Sequence, residues 1–172
     1  MIKKAESSIH MTSKTKSLIV LLSFSLFVGT LVAAVPLQAV KAQLDTTAVQ
    51  SLMKTGYTNQ YQINFKGKTY TIKYSIKGGT VVGIVPNPEL KAVDIILNPG
   101  STPGVMTIQI PRFGIDAKNA QGQDQPFKVT MDGHGLSWKQ IQSTNTDRVL
   151  ALSFTSGNRL VEITGTQFGT GK

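Results

Sequence analysis

Cysteine is missing from all 172 residues. Disulfides, thiolate catalysis, zinc fingers and iron–sulfur clusters are excluded with it. Histidine occurs only at His10 and His134, and His134 stands between two glycines, the setting of a solvated turn. Metal sites usually draw two or more ligands at regular spacing, and His134 has no partner so spaced. Charged residues make up 16% of the chain, against about 25% in ordinary soluble domains. There is no P-loop, G-x-G-x-x-G, G-x-S-x-G or H-E-x-x-H motif, and no N-x-Ser/Thr acceptor for N-glycosylation. Asp116, Asp124, Asp132 and Asp147 fall in or near expected loops. Loop carboxylates can bind calcium, but none forms the D-x-[DN]-x-[DN]-G pattern. Each is read as capping a turn through its own backbone. The sequence therefore assigns no catalytic residue, no cofactor and no metal ligand.

What remains is 40% hydrophobic, enough to build a core and to exclude global disorder. The formal charge of +9 is unevenly spread. Residues 1–42 hold five lysines and Glu6, so about half of the excess lies in that segment. Lys3, Lys4, Lys14 and Lys16 precede a charge-free apolar run from Leu18 to Val35, then Pro36, then Val40-Lys41-Ala42. Basic region, apolar region and small-residue cleavage site come in the order of a secretory signal. Cleavage after Ala42 is the favoured reading and a signal anchor formed by residues 18–35 is its rival, since the run exceeds the usual signal length. Either way the remainder is expected outside the cytoplasm, secreted or held at the cell surface. Residues 43–59 read as a spacer with room for a short helix, 60–168 as the folded domain and 169–172 as a tail.

From Tyr61 onward the apolar pattern has period two. Tyr70, Ile72, Tyr74 and Ile76 share one parity, and Thr69, Thr71, Lys73, Ser75 and Lys77 share the other. That is a half-buried strand. Gly78-Gly79 reads as a hairpin turn returning through Thr80–Val85. Further strands are expected at Ala92–Leu97, Val105–Ile110, Phe127–Met131, Leu136–Ile141, Leu150–Phe154 and around Val161 and Ile163. Only Arg112–Lys118 breaks the pattern, and it is read as a helical turn that pairs Arg112 with Asp116. Eight or nine strands with no long helix between them predict an all-β fold. An antiparallel β-sandwich of immunoglobulin-like or jelly-roll-like kind fits best, with a closed barrel as the alternative. Trp138, the only tryptophan, is read as a core anchor.

Lys66, Lys68, Lys73 and Lys77 are the one candidate contact surface. Their functional reading is attraction to an anionic surface, such as an acidic glycan or another cell-envelope component. Their structural reading is protection of an edge strand. Nucleic acid is disfavoured because few aromatic side chains interleave the lysines for base stacking. A membrane enters only through an uncleaved N-terminal segment.

Several segments resemble a secreted domain common in ammonia-oxidising archaea. They are TYTIKYSIKGGTVVGIVPNPELKAVDIIL, MTIQIPRFGIDAK, FKVTMDG, DRVLALSF and LVEITGT, within about residues 68–166. Ile110-Pro111-Arg112, Ile115-Asp116-Ala117 and Met131-Asp132-Gly133 are its most particular pieces. Members often carry a C-terminal Pro-Glu-Phe-Gly sorting tail. This sequence departs from that pattern, ending in Phe168-Gly169-Thr170-Gly171-Lys172. The resemblance implies an extracytoplasmic location and a β-sandwich, and no chemistry. Two expectations follow. The first is a non-enzymatic surface protein that is structural, adhesive or ligand-binding. The second is an accessory hydrolase or metal-dependent enzyme with its site in the loops.

Overall fold

The computed structural model describes residues 43–169. The expected signal or anchor, residues 1–42, and residues 170–172 lie outside them. The described residues form an antiparallel β-sandwich. One helix, α1 (Thr46–Thr55), is followed by β1 (Asn59–Phe65), β2 (Lys68–Lys77), β3 (Gly79–Asn87), β4 (Ala92–Pro99) and β5 (Gly104–Pro111). Then come β6 (Ile115–Asp116), β7 (Lys128–Met131), β8 (His134–Gly135), β9 (Trp138–Ser143), β10 (Asp147–Phe154), β11 (Leu160–Thr164) and β12 (Gln167–Phe168). One five-stranded sheet has the order β1-β2-β5-β10-β9, and the other has β3-β4-β11-β7-β8. The short β6 and β12 pair with each other.

Alternation decides which side chains meet between the sheets. Tyr70, Ile72 and Tyr74 are buried and Lys73 and Lys77 are exposed, as their parity predicts. A slip of one residue would turn both ammonium groups inward. Met106, Ile108 and Ile110 of β5 meet Leu150, Leu152 and Phe154 of β10 in the same core. Ile95, Leu97, Val161 and Ile163 supply the facing layer. Helix α1 lies against β5 with Val49 buried. Asp45 caps the helix, its carboxylate accepting the Ala48 N–H at 3.0 Å. Ser75, on the opposite parity from Tyr74, accepts the Thr58 N–H and donates to the Gly56 carbonyl, tying the end of this segment to β2.

Three local expectations are corrected. Gly78-Gly79 is not a hairpin. β2 pairs with β1 and β5, β3 pairs with β4, and the two glycines carry the chain from one sheet to the other. Gly78 has φ +84°, and a Cβ there would stand 2.7 Å from the Gly104 Cα, so the corner admits no side chain. The first true hairpin joins β1 to β2 through Lys66 and Gly67, both at positive φ, as a primed two-residue turn requires. Secondly, β2 is covered by β1 from Lys68 to Tyr74, so Lys73 protects no edge; the edge there is β1, which contains no lysine, and Lys77 lies past that register beside α1. Thirdly, Arg112–Lys118 is not helical. A turn through residues 112–114, closed by the Gly114 N–H on the Pro111 carbonyl, leads straight into β6.

Candidate functional site: an ion-pair lattice beside an open cleft

The structure draws polar residues together where β6, the 117–126 loop, β9 and β10 meet. β10 runs Asp147-Arg148-Val149-Leu150-Ala151-Leu152, so Arg148 has the parity of Leu150 and Leu152 and points inward. It is 2% exposed. A guanidinium so placed must be paired, because an isolated buried charge costs several kcal/mol. Its Nη1 donates to Asp116 Oδ1 and to the Ala117 carbonyl, each at 3.2 Å. Nη2 donates to the Gln125 carbonyl and Nε to Gln140 Oε1, each at 2.7 Å. The Phe127 ring lies 4.3 Å from its Cζ, covering one face of the cation. Four of the five N–H donors thus have an acceptor among the described residues.

Asp116 is the anion at the centre. It is 3% exposed and meets three cations: Arg148, Arg112 at 2.9 Å and Lys118 at 3.8 Å. The expected Arg112–Asp116 contact exists, but it is buried structure rather than a surface pair on a helix. The reading of Asp116 as a loop residue capping a turn is likewise corrected, since it sits in β6. Arg112 reaches further. Its fork grips Asp124, its Nε donates to the Thr144 carbonyl at 2.7 Å, and its Nη2 donates to Ser143 Oγ at 2.7 Å. One side chain thereby fixes β6, the 117–126 loop and the β9–β10 turn. The Arg112 fork, against some opposing burial cost, holds the Asp124 carboxyl down at about 2, and Asp124 holds the Arg112 guanidinium above its ordinary value.

Beside this lattice lies an open cleft of about 440 Å³. Asp124, Gln125 and Pro126 form one wall, Trp138, Lys139 and Gln140 of β9 the other, and Arg148 reaches it from below. It opens on the side of the sandwich where β9 is one sheet's edge and the two-residue β8 is the other's. Trp138 both packs against the core and lines the cleft, so it is more than the core anchor expected of it.

The lysines singled out in the sequence lie elsewhere. Lys66 sits in the β1–β2 turn with its Nζ 5.3 Å from the Phe65 ring centre, and Lys68 opens β2. Lys73 stands opposite Gln60 and Gln109, and Lys77 closes the strand beside the start of α1. All four are exposed. Nine strand steps separate Lys68 from Lys77, roughly 30 Å, so the structure strings these charges along β2 and gathers them at no single point. His134 is exposed in β8, its Nδ1 2.9 Å from the Asp132 carbonyl. Asp132 caps across the fold rather than through its own turn. Burial raises its carboxyl, but donors from the Asn158 side chain and the Leu160 and Arg159 backbone outweigh that and hold it low.

Sequence reasoning missed Arg148, the pairing of Asp124 with Arg112 and the cleft. The signal for Arg148 was present: a charged residue on the apolar parity of a strand. The pairing of Asp124 with Arg112, 12 residues away, carries none, since Asp124 lies in the polar run Asn119–Gln125. Comparisons with family models, curated proteins and solved structures find no match.

Proposed function

We propose that this protein is an exported, non-catalytic β-sandwich that binds a component of the cell envelope in the cleft beside β9. Export rests on the order of charge, apolar run and small residues at the N-terminus, and agrees with the resemblance to secreted archaeal domains. The binding role rests on one observation: an open cleft walled by an indole and backed by polar groups already locked in place. Its volume falls within the range of ordinary ligand sites. Arg148 and Gln140 are pre-oriented by their mutual hydrogen bond, so they need little reorganisation when a ligand enters. The enzyme alternative fares less well here. Asp116 and Asp124, the carboxylates nearest the cleft, hold arginines, and Asp124, kept near pKa 2, is a poor general base or acid at neutral pH. The lysines of β2 would add long-range attraction toward an anionic envelope.

N-terminal sequencing of the native protein tests export. A chain beginning near Gln43 outside the cytoplasm is the expected result, and a soluble cytoplasmic chain starting at Met1 would sink it. For the binding role, envelope polymers are titrated against the protein while acrylamide quenching of Trp138 is followed. Saturable protection of the indole is expected; if no polymer protects it, the cleft is not a binding site.

A further inference from the structure

We infer that the ligand of the β9 cleft is an acidic saccharide, a pyranose bearing a carboxylate, seated on Trp138 with its carboxylate toward Lys139 and Arg148. This rests on the reading of the cleft as a binding site and adds the chemical class of its occupant. Three observations carry it.

The first is the mixture of polar groups. Asp124 only accepts hydrogen bonds, Lys139 and Arg148 only donate, and the Gln125 and Gln140 side-chain amides do both. A ligand matching all of them must present donors and acceptors side by side. Vicinal hydroxyls do this, whereas a simple anion meets Asp124 unfavourably. The second is Trp138, half-buried on one side by the core and open to the cleft on the other. Its broad apolar surface suits the C–H face of a sugar ring. The third is charge. Asp124 is matched by Arg112 and Arg148 by Asp116, both partners outside the cleft lining, which leaves Lys139 to set the sign. The fifth N–H of Arg148 has no acceptor among the described residues, although the side chain is 2% exposed. An incoming carboxylate would satisfy it.

An extended acidic peptide pairing with the edge of β9 is the competing occupant. β9 is poorly built for that. Its pairing with β10 shifts register at Val149/Leu150, leaving Ile141 as the extra residue of a bulge, and Lys139 is exposed on it. Bulges and lysines both discourage strand addition.

The test uses the full-length chain, whose single tryptophan makes the emission a direct report on the cleft. Trigalacturonate, neutral maltotriose and pentaglutamate are titrated at about 0.15 M salt, where long-range attraction to a basic protein is largely screened. Trigalacturonate is expected to protect Trp138 from acrylamide saturably and to bind at least about tenfold more tightly than maltotriose. Lys139→Glu, on an exposed side chain, is expected to weaken it at least about tenfold, while Lys54→Glu on α1, equal in charge change, leaves it unchanged. Equal binding of maltotriose would overturn the acidic requirement. Protection by pentaglutamate alone, lost in Lys139→Glu, would keep the cleft as a binding site and overturn the saccharide. Protection by none of the three would overturn the inference, and the wider envelope-polymer titration then decides separately whether the cleft binds anything.

Discussion

The two long sides of the sandwich are closed by different means. On one side β1 lies against β3, and the Tyr61 hydroxyl sits beside Gly83. Aromatic rings pack at its β1–β2 hairpin end: Phe65 meets Phe168 edge to face at 4.9 Å, and Tyr70 stacks on Phe113 at 4.8 Å. On the other side the six-residue β9 faces a sheet ending in the two-residue β8. There the work of closure falls to Arg112, Asp116, Asp124 and Arg148. Rings close a gap by filling it. Ion pairs join chain segments at fixed distances and leave space alongside, and the open cleft of about 440 Å³ lies on the ionic side. A protein that must hold a rigid shape and still admit a ligand gains from having one side of each kind.

The largest test of this contrast removes one anchor from each side. Arg148→Ala removes the most buried of the three cations around Asp116 and leaves the Ala117 and Gln125 carbonyls without their donor, and is expected to cost about 3–5 kcal/mol in equilibrium denaturation. Tyr74→Ala, from the ring-bearing strand β2, is expected to cost a similar amount, about 3–5 kcal/mol, through lost burial and the cavity left. If Arg148→Ala cost under about 1 kcal/mol, the lattice would not hold the open side and the contrast would collapse.

Arg112→Lys keeps the charge but loses the planar fork that spans Asp116, Asp124 and the Thr144 carbonyl. A loss of about 1.5–3 kcal/mol is expected, with faster amide exchange confined to the 117–126 and 143–147 segments. Uniform exchange across both sides would mean that Arg112 does not act locally.

These two sides also differ in how much the sequence disclosed. The ring side was legible, because Tyr70, Ile72 and Tyr74 repeat every second residue and period two has one meaning. The crossover at Gly78-Gly79 was not, because two glycines allow the same backbone corner whether the chain returns in its own sheet or passes to the facing one. Sheet membership is decided by Gly104 and Phe154, which lie far along the chain yet leave no space at that corner. On the ionic side, the spacing of Arg112 and Asp116 disclosed a pair but not its burial, which depends on Arg148 arriving from 32 residues away. The cleft was illegible for a different reason: its walls, residues 124–126 and 138–140, and Arg148 come together only in the fold, and no local pattern announces that meeting.

Acid separates the sides further. Asp124 lies at about 2 in the fold against an ordinary value of 3.8. A carboxyl depressed by folding contributes stability that is full above the unfolded value and fades as pH falls through the folded one. The lattice should therefore loosen between about pH 4 and pH 2, while packing between rings does not titrate. In acid unfolding curves, Asp124→Asn is expected to flatten that part of the profile; an unchanged slope would assign the acid sensitivity to other carboxylates such as Asp132.

The smallest effect is expected at the β2 lysines. Lys73→Ala should change stability by less than about 0.5 kcal/mol. Because Lys73 is flanked by β1 and β5, Lys73→Glu with Lys77→Glu should leave the association state of the parent chain unchanged by light scattering. Aggregation of that double variant would restore a protective role that the strand order argues against.

The strand order also governs when the molecule can be completed. β10 lies between β5 and β9 in one sheet, and β11 lies between β4 and β7 in the other. Both sheets therefore receive an inner strand from the last part of the chain. Until residues 147–164 have arrived, four strands that precede them carry bare hydrogen-bonding edges. Pairing at such separations is slow, because loop closure must precede any gain from contact. A nascent chain stopped before Leu160 would hold the second sheet in two unjoined halves, so the domain closes all at once and late, with β11 as the keystone of its second layer.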